Sequence, residues 1–351
     1  MPRLFPDDDV VPFTALHRRH DVDAALSGVG CTTPARMLHL PRPVLYDAWH
    51  TLNRPQVPRS WGADLVHAPS LAVPPGTKTP LVVTVHDAAP ELFPEAFPAR
   101  GLRFHRQGLD AAARRADLII AVSQSAADEI VANSEIPAER IRVVLNGVSA
   151  PVIGQEHRYA VLGALGLFDR PYVLWVGSLE PRKGVATLLS AVLQLVRRGG
   201  TGDFLLVLAG YDGWLSADLL PEADRAELGP SRLLQLGRLS EDELWALYGG
   251  ATVFAFPSNH EGFGLPVVEA MSQGVPVLAS DIAALREVTA GAARLVPRGD
   301  VSGWADALGG LLRSQEDRHA LAAAGLARSA ELTVEAMVSG VRAVYREVTG
   351  R

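Results

Sequence analysis

Short apolar runs alternate with longer segments whose apolar positions recur every three or four residues, most regularly in the second half of the chain. Residues 171–176 (PYVLWV), 204–209 (FLLVLA), 233–236, 252–256 (TVFAF) and 275–279 (VPVLA) read as strands. Between them, residues 185–198, 240–249 and 266–273 have helical spacing. The second of these opens on Ser-Glu-Asp-Glu, a capping pattern in which side chains satisfy the free N–H groups of the first turn. Such alternation predicts right-handed βαβ units on a parallel sheet.

The first half repeats the rhythm, with strands over 64–67, 81–86 (LVVTVH), 117–122 (DLIIAV) and 141–145, a helix over 101–115 and another after Ser123. Around 149–170 the pattern weakens and Pro151, Gly154 and Pro171 interrupt it, which predicts a domain boundary. The 351 residues exceed one ordinary hydrophobic core and suit two domains. The expectation is a Rossmann-like N-terminal domain over 1–155 and a second over 156–331, with a last helix within 332–351 returning to the first. Residues 1–9 carry no strand pattern, and 6–21 (PDDDVVPFTALHRRHD) reads as the second strand of such a domain. The first βα unit, with its glycine-rich turn, is therefore expected to be missing from the N-terminal domain.

Composition narrows the class. With 48% hydrophobic and 21% charged residues the chain reads as globular, and a net charge of −6 excludes a strongly basic nucleic-acid surface. A single cysteine, Cys31, excludes an intrachain disulfide and a cysteine-rich zinc site. No apolar run approaches the roughly 18 residues of a membrane span, and residues 1–10 lack a signal-peptide pattern. The expected location is the cytoplasm. Arg100, Arg103, Arg106, Arg114 and Arg115 share one helical stretch. That is either a solvated helix or a peripheral contact with anionic lipid at the inner face of the membrane. Their spacing is not confined to one face, which favours the solvated helix.

Three constellations carry chemistry. In 258–281, SNHEGFGLPVVEAMSQGVPVLASD, a strand ends, a loop follows, and Pro266 sits where proline is favoured, in the first turn of a helix. Ligands of open α/β sheets bind at the carboxyl ends of strands, where this loop lies. Gly262 and Gly264 let a ligand approach the backbone beside free helix N–H groups. Glu261 on the loop and Glu269 one turn into the helix face one crevice, each able to accept two hydrogen bonds from a diol. That suits hexose hydroxyls for Glu261 and ribose hydroxyls for Glu269. The plain alternative is a capped helix with two exposed glutamates. In 176–184, VGSLEPRKG, Arg182 and Lys183 stand at the end of another strand and suit a diphosphate, unless the turn is merely a solvated loop. In 83–97, VTVHDAAPELFPEAF, His86 ends a buried strand and faces the interdomain cleft, or is a structural histidine, with Asp87 capping the turn. Asn146-Gly147 is first of all a turn.

These stretches, with ADLIIAVSQSAADEI, IRVVLNGV and VLWVGSLEPRKGVATLLSA, resemble in order and content the retaining glycosyltransferases of family 4, from about residue 81 to the C-terminus. The His-Asp and Pro-Arg-Lys-Gly versions look most like mannosyltransferases of polysaccharide and O-antigen assembly. The resemblance implies the GT-B fold, two facing Rossmann-like domains with parallel sheets. It also implies a nucleotide-diphosphate sugar as donor and a glycan or lipid-linked hydroxyl as acceptor. By this likeness Glu269 binds ribose, Glu261 the hexose, and Arg182 with Lys183 the diphosphate. Gly177, Ser178, Gly262, Phe263, Gly264 and Leu265 line the donor, the last three through backbone N–H groups, and His86 reaches the donor sugar or the acceptor. His86, Arg182, Lys183 and Glu261 are the catalytic candidates. No cofactor or metal is expected, since Arg182 and Lys183 neutralise the phosphates and no Asp-x-Asp tract stands in the crevice. Two features depart from the family: Ser178 stands where many relatives carry arginine, and the N-terminal Gly-Gly loop has no counterpart. GDP-mannose is the first expectation for the donor and a UDP-sugar the next. A sugar-nucleotide-binding protein without transferase activity, and an epimerase or phosphorylase of the same architecture, are the other classes.

Overall fold

Strands of three parallel sheets carry the chain, alternating with helices as the apolar pattern predicts. The computed structural model describes residues 8–199, 201–211, 213 and 221–350. The first half contains β1 (Phe13–Leu16), α1 (Arg19–Gly28), β2 (Arg36–Pro41), α2 (Arg42–Thr51), β3 (Val66–Ala68), β4 (Leu81–Val85), α3 (Ala89–Leu92), α4 (Ala99–Arg115), β5 (Leu118–Ala121), α5 (Gln124–Asn133) and β6 (Ile141–Val143). After α6 (Gln155–Ala164) come β7 (Tyr172–Val176), α7 (Val185–Arg198), β8 (Leu205–Ala209), α8 (Glu222–Leu228), β9 (Leu233–Leu236), α9 (Glu241–Gly250) and β10 (Val253–Phe256). The last elements are α10 (Leu265–Ser272), β11 (Val277–Ser280), α11 (Ala283–Thr289), β12 (Arg294–Val296), α12 (Val301–Arg313), α13 (Gln315–Ser329) and α14 (Val334–Thr349).

The second sheet has the order β12-β11-β10-β7-β8-β9, a doubly wound arrangement whose strand order reverses between β7 and β10. Both faces are covered, as the continuous apolar strands require. Val173 and Trp175 of β7 pack with Leu188, Val192, Trp304 and Leu308 on one side. The alternate residues Tyr172 and Leu174 pack with Tyr248, Phe254, Val267 and Met271 on the other. Ser240 caps α9 in the reciprocal arrangement read from the sequence, donor and acceptor both present with Glu243.

In the first half, β3-β4-β5-β6 form one sheet and β1-β2 a separate pair. The segment read as a second strand does supply β1, and β2 is its parallel partner. Among the described residues no strand joins β1 to β3, and within β1 only Ala15 is buried. Residues 1–7, part of the stretch without a strand pattern, lie outside the described residues. α14 packs on the larger sheet, Val344 joining Val82, Leu118 and Ile120, while Val148 bridges to Thr333. The stretch 149–170, where the apolar pattern weakens, is not structureless. It holds α6, which buries Leu162 and sends Arg158 to the Gly249 carbonyl of α9. The apolar pattern is weak there because a single side chain of α6 is buried.

Candidate active site

The loops after β7 and β10 meet where the strand order reverses. Their backbones are joined directly: the Asn259 N–H donates to the Arg182 carbonyl at 2.8 Å, and the Ser258 hydroxyl oxygen lies 3.2 Å from the same oxygen. At the start of the first loop the Gly177 N–H donates to the Ala209 carbonyl. The Ser178 hydroxyl is committed to Glu180, 2.6 Å away.

Four charges lie between these loops. Lys183 Nζ pairs with Glu261 Oε1 at 2.7 Å, and the Ser258 hydroxyl donates to the same oxygen at 2.6 Å. The Arg182 guanidinium lies 3.6 Å from Glu261 Oε2 and 3.7 Å from Glu180 Oε2, and donates to the His260 carbonyl at 2.9 Å. Glu180 and Glu261 are both buried. Burial alone would raise the Glu261 pKa, but Lys183 and Arg182 hold it below the usual carboxylate range. Two half-buried cations thus balance two buried carboxylates. Arg182 is shared between Glu180 and Glu261. Lys183 also lies over the Phe256 ring, 5.6 Å from its centre.

Glu269 sits one turn into α10, half-buried, and accepts a hydrogen bond from the Tyr248 hydroxyl at 2.7 Å. Burial pushes its pKa up, the tyrosine opposes that shift, and Glu241 adds to it. Gly264 precedes α10 with φ of 99°, in the left-handed region that glycine tolerates and a Cβ does not. Leu265, the first residue of the helix, is exposed.

The loop after β10 also forms the contact with the first half of the chain. A Cβ on Gly262 would lie 2.0 Å from the His86 carbonyl oxygen, so the two backbones touch, and the Ser123 hydroxyl donates to the Gly262 carbonyl at 2.5 Å. Phe263 is buried in the core cluster that contains Val85, Ala121 and Ile130. His260 reaches Glu129 of α5 at 2.9 Å, with Phe93 against its ring. Glu287 of α11 accepts from the Gln124 and Ser125 N–H groups at the start of α5.

His86 is exposed at the end of β4 and its Nε2 lies 3.0 Å from the Pro69 carbonyl. A carbonyl only accepts, so Nε2 carries a proton. Asp87 caps the following turn by accepting from the Ala89 N–H at 3.1 Å. The Asn146-Gly147 turn is packed so closely that a Cβ on Gly147 would meet the Thr333 carbonyl oxygen at 2.1 Å.

Of the sequence-predicted residues, Arg182 and Lys183 meet Glu261 directly, Gly177 and Ser178 begin the loop after β7, and Gly262, Phe263, Gly264, Leu265 and Glu269 follow one another through the loop after β10 into α10. His86 meets the latter loop through Gly262. Sequence reasoning missed Glu180, Ser258 and Tyr248. The first two stand inside the quoted motifs, but spacing does not reveal which hydrogen-bond partner a buried Ser or Glu takes. Among the described residues no three His, Cys, Asp or Glu side chains converge as a metal site.

Comparison with known proteins decides the family. Residues 10–150 match the family described as Glycosyltransferase Family 4, and residues 170–314 that described as Glycosyl transferases group 1. The chain is a family 4 glycosyltransferase. It is 31% identical over 303 residues to the O-antigen chain mannosyltransferase B of Escherichia coli, covering 84% of this chain and 78% of that protein. It is 32% identical over 206 residues to the E. coli serotype-specific mannosyltransferase WbdA, covering 55% of this chain but only 23% of that protein. The Anabaena Alr3699/HepE structure in complex with UDP-glucose superposes with a TM-score of 0.73 at 19% identity, covering 97% of this chain and 92% of that one. The glycosyltransferase therefore has the GT-B fold. No helix among its described residues is long and apolar enough to cross a membrane.

Proposed function

We propose that the crevice binds a nucleotide-diphosphate sugar, with GDP-mannose as the first donor, and passes its hexose with retention to a hydroxyl of a glycan or lipid-linked acceptor. The observation that carries this reading is the pairing of Lys183 and Arg182 with Glu261, 2.7 and 3.6 Å away, at the point of strand reversal. Cations suited to a diphosphate and a carboxylate suited to sugar hydroxyls satisfy one another there. On donor binding Lys183 turns to the diphosphate and Glu261 to the hexose, while Glu269 takes the ribose. Similarity to the O-antigen mannosyltransferase supports mannose, and the UDP-glucose complex of HepE favours a UDP-sugar as the second reading.

In this reaction the acceptor oxygen attacks the anomeric carbon from the face the nucleotide leaves. The bond from that carbon to the diphosphate oxygen breaks, and that oxygen takes the acceptor's proton. No protein nucleophile is needed. Lys183 and Arg182 stabilise the leaving charge without a divalent metal, and losing one such group typically costs on the order of 10² to 10³ in rate. His86 presents Nδ1 to a sugar hydroxyl. We assign residues 1–155 with 332–351 to the acceptor side and 156–331 to the donor side, and place the reaction in the cytoplasm. Contact with an anionic membrane surface would rest on Arg103 and Arg114. The other three arginines of α4 are engaged, Arg100 by Asp47, Arg106 by Glu91, and Arg115 by the carbonyls of Trp49, Val73 and Pro74.

The test is acceptor-dependent release of GDP or UDP from the sugar conjugates, with mannose oligosaccharides as acceptors and the product's anomeric configuration read by NMR. Release with retention is expected, and Lys183→Ala should lower turnover far more than it weakens binding of the free nucleoside. Binding without transfer would mark a sugar-nucleotide-binding protein, and equal losses in both properties would remove Lys183 from its role.

A further inference from the structure

Two tyrosines lie wholly buried in the same apolar cluster, yet they use their hydroxyls differently. Tyr172 donates to the backbone carbonyl of Leu247, an ordinary satisfaction of a core phenol. Tyr248, in the last turns of α9, has its ring fixed between Trp245 and Phe254, at centroid distances of 5.8 and 5.5 Å. Its hydroxyl points out of the core to Glu269 Oε2, 2.7 Å away, which is its partner among the described residues. A buried hydroxyl without a partner is costly, so the phenol and the carboxylate hold each other in place.

We propose that Tyr248 is a positioning residue for the nucleoside end of the donor, holding the Glu269 carboxylate so that Oε1 and the outer lone pair of Oε2 meet the two hydroxyls of a ribose. This rests on the reading of Glu269 as the ribose ligand. A glutamate on a helix turns freely about three side-chain bonds, and a diol needs both acceptors in one plane at one separation. The rigid ring of Tyr248, locked by aromatic packing, removes that freedom at one oxygen and leaves the other for a ligand. The Ser272 hydroxyl, donating to the Glu269 carbonyl at 2.6 Å, steadies the backbone beneath it. Tyr248 itself touches no part of the donor in this arrangement.

The experiment compares affinity for GDP and UDP with that for their 2′,3′-dideoxy analogues, by calorimetry, in the wild type, Tyr248→Phe, Glu269→Ala and the double variant. The wild type should prefer the ribo form by roughly ten- to a hundredfold, the range for hydrogen bonds to a charged group. Tyr248→Phe should lose most of that preference while binding the dideoxy form as before, and should add nothing to Glu269→Ala. If Tyr248→Phe weakens both forms equally, or keeps the full preference, the positioning role is wrong. A wild type that binds nucleotides without distinguishing ribose would overturn the assignment of Glu269 itself, and one that binds none would overturn the donor site.

Discussion

Gly262 shows how much a single residue of the donor loop is asked to do. It precedes a buried aromatic, follows the carboxylate paired with Lys183, and lies against the His86 carbonyl with no room for a Cβ. Gly262→Ala should therefore push the loop and His86 apart, and a displacement of about 1 Å in a reacting site can cost about a hundredfold. Steady-state kinetics should show kcat falling by that order, and the thermal midpoint should fall too, because the neighbouring Phe263 is buried in the core cluster of the first half. A variant of wild-type kcat would show that the contact opens before the chemistry. At this scale the sequence marked the loops that carry Lys183 and Glu261, but not the ion pair they form. It was not legible for Glu180 or for the His260 pair with Glu129, since neither spacing nor composition announces a partner 131 positions away.

At the scale of elements, α14 ties the end of the chain to the first sheet through His67 of β3. Its Nδ1 lies 2.6 Å from the Tyr345 hydroxyl of α14 and its Nε2 2.8 Å from the Thr84 hydroxyl of β4. Burial, and secondarily the nearby His86, push the His67 pKa down to about 4 from the usual 6.5. Below 6.5 the unfolded chain takes a proton that the folded one refuses, so stability falls as pH drops from 6.5 to about 4 and levels off beneath. The loss approaches about 3 kcal/mol for His67, and His50 and His105, whose pKa values burial also lowers, add in the same direction. Chemical denaturation from pH 7 to 4 should show this slope, and His67→Gln should flatten part of it. The same slope in the variant would assign the acid sensitivity elsewhere. Strand and helix positions were readable because both faces of β4, β5, β7 and β8 are covered, giving continuous apolar runs. α6 was not, because it buries a single leucine and meets α9 otherwise through polar groups, Arg158 with the Gly249 carbonyl and His157 with Asp242.

Across the whole molecule, the two halves meet through the same loop that carries the candidate donor residues. Ser123, Glu129 and His86 of the first half touch the chain at Gly262 and His260, either side of Glu261. On the proposed function, occupation of the donor site and the relative placement of the halves are linked through these residues. The rhythm of the sequence revealed two parallel-sheet halves, but not the separation of β1-β2 from the larger sheet, because pairing between strands leaves no mark in local periodicity. The donor site itself is best tested by thermal denaturation of the wild type and Glu269→Ala with GDP, UDP, ADP and their sugar conjugates. A ligand at a hundred times its Kd should stabilise the fold by about 2.7 kcal/mol. Selective stabilisation by one nucleoside diphosphate, lost in Glu269→Ala, is the expected result. Stabilisation by none of them, or the same stabilisation in the variant, would contradict a donor site built on Glu269.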